Sequence, residues 1–158
     1  MKLFIGIILS FAVAIAQVDS LEKCLLKQYE ADRYQNTEAL LKIAGELKEE
    51  MFAYVASHPL DSSRALSYKI KCARIEQNVF QKPVKAIKLY EQIIQQYGTY
   101  PGADEAFVHY IMLLIELREL ERAEKIIAKM KYLQPESQYL VQMEQLYNID
   151  KKSGTKPQ

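Results

Sequence analysis

Chemistry needs side chains that can attack, coordinate or shuttle protons, and this chain holds few of them. It has two histidines, His58 and His109, and two cysteines, Cys24 and Cys72. A cysteine beside a histidine can act as a nucleophile and its base, but no local spacing pairs any of these four. His58 precedes Pro59 at an expected helix end, where a solvated capping role accounts for it. His109 lies inside an apolar run, where a core or groove histidine is the plainer reading. A structural zinc site takes about four Cys or His ligands at characteristic spacing, and that spacing is missing. The five glycines, Gly6, Gly45, Gly98, Gly102 and Gly154, are scattered, so no loop is built to cradle a phosphate. HExxH and GxSxG are absent as well. The residues therefore call for no catalytic group, no metal and no cofactor, and an enzyme stands only as the alternative of another class.

Charged residues form patterns but no active constellation. Glu49 with Glu50, Glu116 with Glu119 and Glu121 with Glu124 lie among lysines and arginines at helical spacing, as on solvated faces with i,i+4 pairs. Lys69, Lys71, Arg74, Lys82, Lys85 and Lys88 make a modest basic strip. That strip is either a surface for an anionic partner or a charged solvent face.

The elements that would position these groups begin after an amino-terminal segment of another kind. Met1-Lys2 is followed by LFIGIILSFAVAIA, and Ala14-Ile15-Ala16 supplies the small-x-small pattern of a signal-peptidase site. The apolar run is shorter than the ~20 residues that span a bilayer. The expectation is a signal peptide over residues 1–16, cleavage between Ala16 and Gln17, and an exported, periplasmic or secreted chain with no stable membrane span afterwards. Lys and Arg number 21 and Asp and Glu 20; cleavage removes only Lys2, and the charges then balance. That balance argues against nucleic acid and against a polybasic membrane-surface role. In an oxidising compartment Cys24 and Cys72 could form a disulfide; equally, each could be a small buried apolar side chain.

From Ser20 onward the apolar residues recur at helical period, which predicts seven helices. The first runs to about Tyr34 with Leu21, Cys24, Leu25, Gln28 and Tyr29 on one face. The second opens at Asn36-Thr37, with Thr37 as N-cap, carries Leu40, Leu41, Ile43, Ala44, Leu47, Met51 and Tyr54, and ends before Pro59. The third starts in the capping cluster Asp61-Ser62-Ser63. After the short NVFQKP connection, Pro83 opens the fourth, where its missing N–H is harmless. Gly98 to Gly102 breaks the chain. The fifth helix, Asp104 to about Leu117, is apolar almost all round, and so is either the centre of a stack or the floor of a groove. A tight turn at Arg118–Leu120 leads to the sixth, with Ala123, Ile126, Ile127 and Met130 inward. Pro135 starts a seventh, with Tyr139, Leu140, Met143 and Leu146 on one face. Residues 150–158 read as a disordered polar tail. The fold class is all-α: one domain of antiparallel hairpins over residues 17–149. At this level a bundle and a solenoid look alike.

One comparison separates them. Ala86-x3-Tyr90 and Ala123-x3-Ile127 occupy matching places, and each precedes a break with a proline, Pro101 and Pro135. Phe107, Tyr110, Leu114, Ala123, Ile127 and Pro135 follow a large-large-large-small-large-proline order. This resembles the tetratricopeptide (TPR) repeat, and KAIKLYEQIIQQYGTYPGADEA is similar to stretches of cell-envelope members such as the Tol–Pal accessory protein and the outer-membrane-assembly lipoprotein BamD. The resemblance covers residues 62–135, and residues 20–57 match the motif poorly. Ile111 stands where the family has a small residue. Ala86 and Ala123 lie somewhat farther apart than the ~34-residue repeat, which points to an insertion in NVFQKP.

The resemblance implies a short superhelix whose first helices line a concave groove for a peptide or partner helix. Carried onto this chain, the groove residues are Glu105, Val108, Met112 and Glu116: adaptable apolar contact flanked by carboxylates. The implied partner is another protein or peptide, with no small-molecule ligand expected. The function so implied is an exported adaptor in cell-envelope assembly, or alternatively a structural or chaperone-like subunit of an envelope or secretion complex.

Overall fold

A computed structural model of the chain describes residues 15–27 and 38–154. Most of the expected signal segment, the end of the expected first helix and the Thr37 cap lie outside the described residues. What is described is all-α, with no strand among those residues. The helices are α1 (residues 15–27), α2 (Glu38–Ser57), α3 (Ser62–Asn78), α4 (Pro83–Tyr97), α5 (Asp104–Glu116), α6 (Leu120–Leu133) and α7 (Leu140–Gly154). By packing, the chain forms two compact units, Met1–Lys82 and Pro83–Gln158. The division falls within NVFQKP.

In the first unit α1, α2 and α3 share one core of Val18, Leu25, Leu40, Ala44, Leu47, Met51, Tyr54, Tyr68, Cys72, Ile75 and Val79. Of the apolar stripe expected on α2, Leu40, Ala44, Leu47, Met51 and Tyr54 are buried, and Leu41 and Ile43 are partly so. On α1 the phase differs from expectation: Val18 and Leu25 are buried, Leu21 is partly so, and Cys24 is exposed. Residues 18, 21, 22 and 25 form one i, i+3, i+4, i+7 face, and position 24 falls off it. Asp61 caps α3 by accepting the Arg64 backbone N–H at 3.1 Å, and it also accepts the Tyr54 hydroxyl at 2.8 Å. Burial pushes the Tyr54 hydroxyl up to about 12, helped by the hydrogen bond to Asp61. For Asp61 burial works upward, but the bonds from Tyr54 and Arg64 outweigh it and hold the carboxyl below its ordinary value. The stability this lends is therefore present above the unfolded carboxylate pKa, ~3.9, and is lost as pH falls through the lower folded value. Asp61→Asn keeps a competent cap and should flatten that acid limb. Urea midpoints measured against pH for both proteins check this, and identical slopes would refute it.

In the second unit α5 packs against α4, α6 and α7. Ala86 on α4 and Ala123 on α6 are fully buried, as are Phe107, Tyr110, Ile111 and Leu114 of α5. On α6, Ala123, Ile127 and Met130 are buried and Ile126 is half-buried. Two boundaries differ from expectation. Residues 135–139 are turn, and α7 starts at Leu140, because the Ser137 hydroxyl accepts the Tyr139 N–H (3.3 Å) and donates to Asp104 Oδ2 (2.9 Å). The buried α7 residues are Met143 and Tyr147; Tyr139 is exposed, and Leu140 and Leu146 are half-buried. The tail expected from Asp150 is helical to Gly154. Asp150 holds Arg118 at 2.5 Å, and Lys151 and Lys152 suit the negative end of the helix.

Gly98 is needed for close approach. A Cβ there would stand 2.5 Å from Ile94 O and 2.9 Å from Leu133 Cδ1, while the Gly98 and Tyr100 carbonyls accept Gln134 Nε2 at 2.8 and 3.0 Å. Gly98→Ala is expected to cost about 1–3 kcal/mol, read as a lowered thermal midpoint. A neutral result would mean that the α4 end does not press on α6.

Candidate functional site: the outer face of α5

α5 is buried through Ala106, Phe107, Tyr110, Ile111, Leu113, Leu114 and Ile115. This leaves a stripe of Glu105, Val108, Met112 and Glu116 outside the core. Glu105 and Glu116 are exposed, Val108 is half-buried and Met112 is 39% exposed. The helix is therefore buried on three sides rather than all round, and all four expected groove residues fall on the remaining side. His109 sits at the edge of the stripe, half-buried, with Nε2 3.6 Å from Glu105 Oε1 and its ring 6.5 Å from that of Tyr90. Asp104 and Glu105 in the first turn oppose the positive end of the helix.

A polar clasp sets the rotation of α5. The Tyr110 hydroxyl donates to Glu91 Oε1 on α4 at 2.9 Å. Arg122 on α6 donates to Tyr110 Oη at 3.0 Å and to Glu91 Oε1 at 3.2 Å, and its other nitrogen pairs with Glu119. Burial, then the Glu91 bond, pushes the Tyr110 phenol up to about 12. For Arg122 burial works downward, but Glu119 and Tyr110 more than offset it, and the guanidinium stays charged. The clasp ties three helices together and turns Val108 and Met112 outward. Of its members only Glu119 and Arg122 are near in sequence, at i,i+3, so the spacing of residues carried little sign of it.

The other candidate residues lie elsewhere. Cys24 and Cys72 are both free thiols, and the bridge considered from the sequence is not made: Cys24 is exposed, while Cys72 donates to Met51 Sδ at 3.8 Å inside the core. Burial pushes the Cys72 thiol up to about 12, which leaves it protonated and unreactive. His58 stacks on Tyr54 with ring centroids 4.2 Å apart, and its Nδ1 lies 2.9 Å from Tyr54 O at the α2 end. Among the described residues no group of three His, Cys, Asp or Glu side chains could hold a metal ion. Lys71 of the basic strip pairs with Glu22 at 2.5 Å. That pair lies at the rim of a cavity of about 340 Å3 lined by Leu25, Leu47, Met51 and Ile75, and its charges already satisfy one another. Among the described residues no helix is long and apolar enough to cross a membrane. Compared with known proteins, the chain matches no family model and no curated protein.

Proposed function

We propose that the protein is an exported adaptor that binds another protein through the outer face of α5, as TPR-like hairpins do, in assembly of the cell envelope. The observation that carries this reading is the stripe itself. α5 is held by three neighbouring helices, yet keeps Val108 and Met112 accessible between Glu105 and Glu116. A methionine beside a half-buried valine offers adaptable apolar contact. Two carboxylates at the ends of the stripe favour a partner segment with basic residues flanking apolar ones. Recognition is by shape and charge, with no covalent chemistry, cofactor or nucleic acid. The small buried residues Ala86 and Ala123, and the breaks after α4 and α6, support the repeat reading.

The test is mild crosslinking in the exporting compartment, followed by recovery of the chain and of whatever is joined to it. The native chain should bring down one defined partner, and Val108→Lys with Met112→Glu should lose it while keeping the native helical signal. Recovery of the native chain as a lone monomer, or equal capture by the variant, would overturn the proposal.

A further inference from the structure

We infer that residue 17 is a modification site: cleavage after Ala16 leaves an amino-terminal glutamine that closes to a pyroglutamyl lactam, and this neutral end guards α1. The inference rests on the proposed export and signal cleavage. Gln17 is exposed in α1, and its side-chain amide donates to Glu50 Oε1 at 2.9 Å. The very next residue, Val18, is 1% exposed and belongs to the core of the first unit, followed by Leu21 and Leu25. Ile15 also packs against this core, so cleavage at Ala16-Gln17 gives up that contact and sets the chain end one residue before Val18. An aminopeptidase that removed two residues would take a core side chain with it.

The step is complete within the residue. The α-amino nitrogen attacks the side-chain amide carbon Cδ, a new C–N bond closes a five-membered ring, the Cδ–Nε2 bond breaks, and Nε2 departs as ammonia with the proton released by the amine. No oxidant, reductant or second substrate is required. The charge balance favours the product, because a free ammonium at the start of α1 would stand at the positive end of the helix dipole, and the lactam is neutral. Geometry sets the timing. In the docked helix Glu50 draws Nε2 away from the residue's own nitrogen, so ring closure precedes docking or passes through fraying of the first turn. Glu46, Glu49 and Glu50 also stand around Gln17, and a free ammonium held by these carboxylates is the competing outcome.

Intact mass and amino-terminal sequencing of the chain recovered from the exporting compartment decide between them. The expected chain begins at residue 17, is lighter by one ammonia than the uncyclised form, and is blocked to stepwise degradation. A chain beginning at residue 17 with a free glutamine amine would overturn the lactam while leaving cleavage intact. A chain beginning elsewhere would overturn the cleavage and the lactam together. Gln17→Ala leaves the small residues of the cut, Ala14 and Ala16, in place and cannot cyclise. Under aminopeptidase it should be trimmed through Val18 while the native chain resists, and equal resistance would mean that the lactam does not guard the end.

Discussion

Lys48→Met is expected to destabilise the first unit by about 3 kcal/mol, far more than a typical surface lysine substitution. Lys48 Nζ on α2 meets Glu76 Oε1 on α3 at 2.5 Å, and only 6% of the Glu76 side chain is exposed. The other oxygen, Oε2, is buried with no hydrogen-bond partner among the described residues. Removing the ammonium leaves an uncompensated carboxylate in a buried site, where desolvation is costly. The value sits at the low end of what broken buried pairs cost, because Lys48 keeps some contact with water. The lysine nitrogen also stands 4.9 Å from the Phe80 ring centroid; methionine gives up that cation–π contact but keeps an unbranched apolar stem, so the lost charge rather than lost volume explains the effect. The double variant Lys48→Met with Glu76→Leu should recover to within about 1 kcal/mol of the native protein, since replacing a whole buried pair is often neutral. Urea denaturation followed by circular dichroism measures both. A loss below ~1 kcal/mol in the single variant would mean that Glu76 is hydrated.

Phe107→Ala and Met112→Ala, five positions apart on α5, should differ by an order of magnitude in cost. Phe107 is fully buried, and its truncation leaves a cavity between well-held helices, costing about 3–5 kcal/mol. Met112 lies on the outer stripe, and its truncation should change stability by no more than about 0.5 kcal/mol. The contrast separates a surface residue from a core residue on one helix. If Met112→Ala cost as much as Phe107→Ala, the stripe would be core and the binding proposal would lose its surface.

Much of the fold was legible because local signals coincide with it. Asp61 caps α3, Pro83 opens α4, and the Gly98–Gly102 break falls between α4 and α5. The stripe on α5 could be placed from the repeat resemblance, but whether it was surface or core depended on three neighbouring helices that sequence does not place. Other features had no local signature. The tight turn at Arg118 uses a non-glycine residue at φ 60°, and Gln81 ends the α3 connection at φ 52°, where sequence reasoning looks for Gly or Asn. On α1 the buried face of Val18, Leu21 and Leu25 is rotated from the expected one of Leu21, Cys24 and Leu25, because Val18 lies before the expected helix start at Ser20. Pro135 resembled a helix start, yet Ser137 extends the turn by bonding to Asp104 far away in sequence. The division at Lys82 and Pro83 follows from packing, and NVFQKP reads as an ordinary connection either way.

The most direct test of the central claim is a photoreactive side chain placed at Met112, with one at Tyr132 of α6 as control, irradiated in the cells that produce the chain. Tyr132 is 83% exposed but lies off the stripe. The binding proposal predicts one discrete adduct from position 112 and none of that size from position 132. Only unreacted monomer at position 112, or the same adducts from both positions, would contradict it.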